Sequence, residues 1–401
     1  MKRIKNCILS SVVLLVLICL SSLESKSISP VLHVSPSNTI ISDSVTYHIV
    51  SRGEAAYKYQ AFPDACRLAN GDILIVFYAG EGHVTFANEN YPLCGRICMV
   101  RSSDDGKTWS EPVVVYDDLY ENRDPHVSQL KDGTIVITFF SLKPYPVNGR
   151  TVLHRTQMIR STDNGKTWID DPASFSVENE DWYCSAPVRE LEDGTLVFPV
   201  YHQDGDRELG WGGVFLSYDN GKNWSSVVPI GKEANLYLAA ETDVIRLNDG
   251  AWMAVLRGQK EIPMHYSISK DQGKTWSPAK SIGFAGHSPH LNRMSTGEIL
   301  LTYRGAIRKK GIDWNVVSSI YTAMRISFDE GATWQGPYLM SKSSGAYPST
   351  VELKDKSVLM IFYQEGKGSG IGVYRFEKPG NVYGSPDPYH ISRYEKVLNT
   401  E

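Results

Sequence analysis

The sequence predicts an all-β fold, a six-bladed β-propeller of four-stranded antiparallel blades. Three observations predict it: a hairpin signature that recurs six times, a turn motif that follows it five times, and a near-constant spacing between copies. The hairpin signature is an apolar residue, a short polar turn and then a run of apolar and β-branched residues. It reads LANGDILIVFY at 68–78, LKDGTIVITFF at 130–140 and LEDGTLVFPVY at 191–201. The remaining copies are LNDGAWMAVLR at 247–257, MSTGEILLTYR at 294–304 and LKDKSVLMIFY at 353–363. Asp-Gly and Asn-Gly between such runs mark tight hairpins, so each copy joins the first two strands of a unit.

The turn motif is Ser-x-Asp-x-Gly-x-Thr-Trp, with Asn in place of Thr once. Its aspartates are Asp104, Asp163, Asp219, Asp271 and Asp329, which stand 59, 56, 52 and 58 residues apart. In such a turn the carboxylate accepts backbone N–H bonds, the glycine takes the unusual dihedral and the tryptophan packs beneath. A repeat of this period is one supersecondary unit, and it overrides the two or three domains that 401 residues would otherwise suggest. The sixth unit lacks the turn motif. Because a propeller closes its ring by sharing a blade between termini, residues 45–50 (VTYHIV) are expected to complete it. Residues 379–388 read as a loop-rich tail, and 389–397 as a cover over an edge.

These five turns resemble the Asp boxes of the sialidase-type (BNR/Asp-box repeat) β-propeller family, and the resemblance covers nearly the whole chain after its start. The resemblance implies that the boxes are structural and lie on the face opposite the ligand funnel.

The start reads as an export signal. Lys2, Arg3 and Lys5 precede an apolar run at 8–20, which is too short for a membrane span, and small polar residues follow. The expected organisation is a signal over 1–25 and one propeller domain over 26–401, periplasmic or secreted. Cys19 offers lipid attachment as an alternative, against which Ile18 stands where a small residue is wanted. Four cysteines remain beyond that signal, Cys66, Cys94, Cys98 and Cys184, and are expected as buried thiols or one disulfide. A net charge of −4 gives no reason to expect nucleic-acid binding. No metal-ligand spacing, phosphate loop or nucleotide fingerprint is present, so no metal or cofactor is expected, and the chain is read as a monomer without a transmembrane segment.

In a propeller, strand one of each blade starts on the face where strand two ends, and that face is the mouth of the central funnel. The starts of strand one read AFPD (61–64), RDPH (123–126), SAPV (185–188), AETD (240–243), HSPH (287–290) and AYPS (346–349). Before the proline stand Asp124, Glu241 and Tyr347; after it stand Asp64, His126, Asp243 and His290. Strand two ends in aromatics in four units and in Arg257 and Arg304 in two, with His202 and Glu81 just beyond. Two arginines at the ends of apolar strands favour an anionic ligand, which guanidinium grips bidentately, unless they form a structural network with Glu241 or Asp243.

Sialidases use a tyrosine nucleophile with a glutamate partner, an aspartate acid/base and three arginines on the sugar carboxylate. Tyr347 in GAYPSTVEL resembles the nucleophile, Glu241 in AAETDVIRL its partner, and Arg257 the second arginine. Ala61 stands where the first arginine belongs, and Ser318 and Ser319 where the third does, with Arg304 or Arg308 near enough to compensate. The loop that should hold the acid/base aspartate, 79–96, contains none; Glu81, His83 and Glu89 are its titratable residues with suitable chemistry.

Three functions compete. A glycosidase on an acidic sugar terminus would use Tyr347 as nucleophile, Glu241 as base and Glu81 or Asp64 as acid. A lyase or dehydratase on a uronic-acid unit would neutralise the carboxylate with arginines and use His126, His287 or His290 with Tyr347. A non-catalytic glycan binder would stack sugars on Tyr145, Trp211 and Trp314. In the first two, the partner is an acidic oligo- or polysaccharide, contacted by Arg257, Arg304, Arg123, Asp124, His202, His287, His290 and Trp211. The basic stretch at 305–314 would suit a polyanion.

Overall fold

The structure, a computed structural model, describes residues 39–378 except 41–45, 54–55, 91, 145–150, 172–174, 176–179, 204–208, 237, 239, 259–261, 308–318, 342–344 and 365–368. Six antiparallel sheets follow one another along the chain. Blade one is Tyr59–Arg67, Ile73–Gly80, Arg96–Ser102 and Val113–Tyr116; blade two is Glu121–Gln129, Ile135–Pro144, Thr151–Ser161 and Ile169–Asp171. Blade three has an interrupted first strand, Trp182–Cys184 and Arg189–Glu190, then Leu196–Gln203, Gly210–Ser217 and Val228–Ile230. Blade four is Thr242–Arg246, Trp252–Leu256, His265–Ser269 and Lys280–Ser281; blade five is His287–Arg293, Ile299–Ile307, Ser319–Ser327 and Gln335–Ser341. Blade six is Gly345–Glu352, Val358–Gln364 and Gly370–Phe376, completed by Thr46–Arg52 running antiparallel to Gly370–Phe376. The expected ring closure is therefore observed. A second N-terminal pairing, of Thr39–Ile40 parallel to Tyr338 and Leu339 of blade five, has no signal in the sequence.

Every predicted hairpin forms. In each, the apolar residue bonds across the turn, as in Leu68 N–H to Asp72 O and Gly71 N–H to Leu68 O, both at 2.8 Å. The glycine takes positive φ in five copies, and Lys356 does so in the sixth. The Asp-box geometry is likewise repeated. Ser102 Oγ donates to Asp104 Oδ1 at 2.9 Å, and Asp104 accepts from Thr108 N–H at 2.8 Å and Thr108 Oγ1 at 2.6 Å. Around Asp163, Asp219, Asp271 and Asp329 the same bonds recur. The residue before each box glycine is also left-handed, at φ between 59° and 63°. Two successive left-handed residues match the right-handed twist of the strands they join, and this makes the turn tight. Each box joins strands three and four, so chain direction alone puts it on the face away from the starts of strand one.

The apolar core is divided as the ring is. Six buried clusters lie one at each blade-to-blade contact, from Leu74, Ile97, Ile137 and Phe139 between blades one and two to Ile75, Tyr78, Ile361 and Tyr363 between six and one. Strands apolar on both faces, such as ILIVFY at 73–78, are what a blade sandwiched between two others requires. Cys66, Cys94, Cys98 and Cys184 are free thiols. Among the described residues no helix is long and apolar enough to cross a membrane. The proposed signal with Cys19, the tail beyond 378, and Tyr145, Arg308 and Trp314 lie outside the described residues.

Candidate active site at the propeller axis

The starts of strand one share a backbone device. Phe62, Asp124, Ser288 and Tyr347, each directly before a proline, adopt φ of 53°, 52°, 51° and 43°. The ladder to strand two skips a register at each, between Ala61 and Asp64, Arg123 and His126, His287 and His290, and Ala346 and Ser349. A left-handed non-glycine residue costs about 1–2 kcal/mol, so four in matching places mark a feature that the surrounding packing enforces. The bulge aims side chains at the axis. Blade four has no proline; there Ala240 takes the positive φ, of 41°, and Glu241 follows it.

The result is a cavity of about 480 Å³, its open mouth included. The pre-proline residues Phe62, Asp124, Ser288 and Tyr347 line it with Glu241, and the post-proline residues Asp64, His126, His290 and Ser349 line it one step further along the strands. Tyr201 and Cys184 complete the wall.

Glu241 is the hub. Its Oε1 accepts from Tyr347 Oη at 2.7 Å and from Arg257 Nη1 at 2.5 Å; its Oε2 accepts from Ser288 N–H and Ser288 Oγ, both at 2.9 Å. The Arg257 N–H also donates to Glu241 O at 2.8 Å, so the two residues lie side by side across strands one and two. Burial pushes the Glu241 carboxyl up, but Arg257, Tyr347 and Ser288 outweigh it, and its pKa falls below the usual glutamate value. Burial and the Glu241 charge raise the Tyr347 phenol well above its ordinary value. The resting pair is a neutral phenol donating to a carboxylate.

Asp64, almost wholly buried, faces His126 Nδ1 at 3.5 Å and His290 Nε2 at 3.6 Å and accepts from Val127 N–H at 3.0 Å. Burial raises its carboxyl, yet the two imidazoles and the bond donors bring it down to about 2. It is ionised at neutral pH and has no proton to give. Asp124 behaves oppositely: burial lifts it above the usual aspartate value despite Arg123 nearby, and the Glu241 charge adds to the lift. Arg123 packs its guanidinium over the Phe62 ring at 4.7 Å, reaches Asp124 Oδ1 at 3.4 Å and donates to His83 O at 3.0 Å. It thus brings a cation beside blade one, next to the position where Ala61 lacks one.

Arg304 lies against His287, its Nη2 3.4 Å from Nδ1. Among the described residues it has no carboxylate partner, whereas Arg257 has Glu241 and Arg123 has Asp124. Asp243 belongs to the frame: it takes Arg189 at 2.8 Å and Leu291 N–H at 2.7 Å, fully buried. The structural network considered for the arginines is thus half present, with Arg257 on Glu241 and Asp243 served by Arg189.

Arg123, Arg257, Arg304 and His287 lie outside the cavity lining, and so do Glu81, His202 and Trp211. Glu81 is ion-paired with Lys58 at 3.2 Å. His202 is buried, its Nδ1 2.9 Å from Asp181 O. Trp211 is flanked by His202, with centroids 4.4 Å apart, and by Lys232 over its ring at 4.5 Å, which occupies the indole that a sugar would need. Of the loop residues weighed as an acid, Glu89 is exposed and His83 lies beside Phe62 and Arg123. The sequence reading passed over Ser288 as a ligand of Glu241 and Cys184 as cavity lining. The bulge alignment could have found Ser288, which occupies the position of Tyr347 one blade earlier. Among the described residues no group of His, Cys, Asp and Glu could hold a metal ion.

Comparison with known proteins agrees with the fold. A sialidase of Bacteroides fragilis (strain YCH46) is 28% identical over 235 residues, 54% of this chain and 41% of that protein, so the chain spans well under half of that relative's length. A solved structure from Dyadobacter fermentans, of unknown function, superposes with a TM-score of 0.68 at 24% identity, covering 84% of this chain and 100% of that one. The leech intramolecular trans-sialidase superposes with a TM-score of 0.64 at 14% identity, covering 83% of this chain and 70% of that one. At those identities the structural likeness is one of fold. The family described as BNR repeat-like domain matches residues 99–361, most of the chain, and the protein is a member of that sialidase-like family of β-propellers.

Proposed function

We propose that the chain is an exported glycosidase that removes an acidic sugar from an oligo- or polysaccharide with Tyr347 as nucleophile. The observation that carries this is the hydrogen-bonded line Arg257–Glu241–Tyr347, of which Glu241 and Tyr347 line the cavity. A glycan-binding module has no use for a phenol held on a charged carboxylate. Tyr347 Oη attacks the anomeric carbon as its proton passes to Glu241 and the bond to the leaving oxygen breaks. Asp124, a carboxyl lining the same cavity, protonates that oxygen and then deprotonates the water that releases the sugar, while Glu241 returns its proton to Tyr347. A neutral nucleophile suits an anionic substrate, because a carboxylate in its place would repel the sugar's own charge. Arg304, lacking a carboxylate among the described residues, and Arg257 support the acidic substrate.

Elimination finds less support. Two of the histidines it would use, His126 and His290, face Asp64, and the third, His287, lies against both arginines.

The test is incubation with sialosides and uronate-terminated oligosaccharides, followed by mass spectrometry, ultraviolet absorbance and anomeric NMR. Cleavage with uptake of one water and retained configuration is expected, lowered at least about 100-fold in Tyr347→Phe. A new conjugated double bond without water uptake would replace hydrolysis with elimination. Binding without turnover of any substrate would leave a lectin-like propeller.

A further inference from the structure

His287 opens strand one of blade five and pairs across the ladder with Arg304. Its Nδ1 lies 3.2 Å from Arg257 Nη2 and 3.4 Å from Arg304 Nη2. A guanidinium can only donate, and it stays charged at any ordinary pH. Two cations converging on one ring nitrogen therefore require a lone pair there. A proton on Nδ1 would set donor against donor in either form, and the imidazolium would also add a third positive charge.

We infer that His287 is a positioning residue, a neutral imidazole protonated on Nε2 whose Nδ1 lone pair holds Arg257 and Arg304 together as one carboxylate clamp. Arg257 reaches Glu241 through Nη1 and His287 through Nη2, and its buried Nε has no hydrogen-bond partner among the described residues. Arg304 touches the same imidazole and no carboxylate among the described residues. A cation without a direct carboxylate contact among the described residues, beside a second one with an unused N–H, matches an incoming carboxylate. Without an acceptor between them the two guanidiniums would repel and splay. The imidazole thereby replaces an arginine-to-acid contact with a neutral one, so that the pair keeps charge to spend on the ligand. This assignment extends the acidic-sugar reading and rests on it for the identity of the ligand only.

The experiment is long-range proton–nitrogen NMR on protein labelled with nitrogen-15 histidine, with His287 assigned by its disappearance in His287→Leu. The expected spectrum at neutral pH shows an unprotonated Nδ1 and a protonated Nε2. A protonated Nδ1, as tautomer or imidazolium, overturns the inference. In parallel, calorimetric titration with N-acetylneuraminate and with D-glucuronate compares wild type, His287→Leu and His287→Asn. The leucine variant should bind about 10-fold more weakly, and the asparagine variant, whose carbonyl can accept from both arginines, should recover most of the loss. Equal binding by wild type and the leucine variant also overturns the inference. If wild type binds neither acid while Nδ1 is unprotonated, the acidic-sugar reading fails and the arginine pairing stands.

Discussion

Replacing Glu241 by glutamine tests whether this carboxylate is the hub of the site. The substitution keeps shape and removes charge. Glu241 accepts four hydrogen bonds, two on each oxygen, and two of its donors, Arg257 Nη1 and the Ser288 N–H, cannot reverse. Glutamine has one carbonyl oxygen. Pointed at Ser288, it turns its amide N–H₂ toward Arg257; pointed at Arg257, it turns it toward Ser288 N–H. Either way a buried donor faces a donor, at about 1–3 kcal/mol for the unmet group. The uncompensated Arg257 charge brings the total to about 3–5 kcal/mol, the scale for breaking a buried ion pair. Both side chains are mostly buried, at 8% and 15% exposure, so solvent screens the pair little. Urea unfolding of Glu241→Gln, Arg257→Leu and the double variant would measure this. The glutamine should cost far less once Arg257 is gone, giving a coupling of about 2–3 kcal/mol. A single-variant loss under about 1 kcal/mol, or additive losses in the double variant, would refute the reasoning. Because the Glu241 pKa is depressed on folding, its contribution is complete above the ordinary glutamate pKa and fades as pH falls through the lower folded value.

Two further predictions concern the frame. Glu121 is buried beside the 79–96 loop and accepts from Gly95 N–H at 2.8 Å; burial drives its carboxyl up to about 7, against the pull of Arg123. Its folded state holds a proton that the unfolded chain releases nearer pH 4.5, so it should lower stability progressively as pH rises from 4.5 to 7. Glu121→Gln should remove that slope, and melting curves from pH 5 to 8 that stay parallel to wild type would count against it. Gly331 of the fifth Asp box has φ of 82°, and a Cβ there would meet Met253 Sδ at 2.7 Å. The methionine can move but the backbone cannot, so Gly331→Ala should cost about 1–2 kcal/mol in urea unfolding, with activity kept.

Much of the fold was legible because a propeller repeats its local chemistry. Each hairpin and each Asp box closes its own hydrogen bonds within a few residues, so its identity needs no distant partner. The match of Tyr347, Glu241 and Arg257 was legible for a related reason: aligned units put equivalent residues at equivalent heights on the ring. The same alignment could not separate Asp64 from Asp243. Both stand at the same aligned position and both are buried, yet only Asp64 lines the cavity, while Asp243 is taken by Arg189 from blade three.

What the sequence by itself determined is the number of blades, their hairpins and the ring closure, while the pairing of the tyrosine with its glutamate came from the family resemblance. The first three depend on local turn chemistry and on a repeated register. Tertiary structure alone decided the rest: that Glu81 is held by Lys58, that Trp211 is covered by Lys232, that Asp64 lies between two histidines and that His287 stands between two arginines. Those assignments depend on side chains from different blades meeting at one axis. Their distances follow from left-handed bulges and packing across blade contacts, which composition and spacing along the chain do not encode.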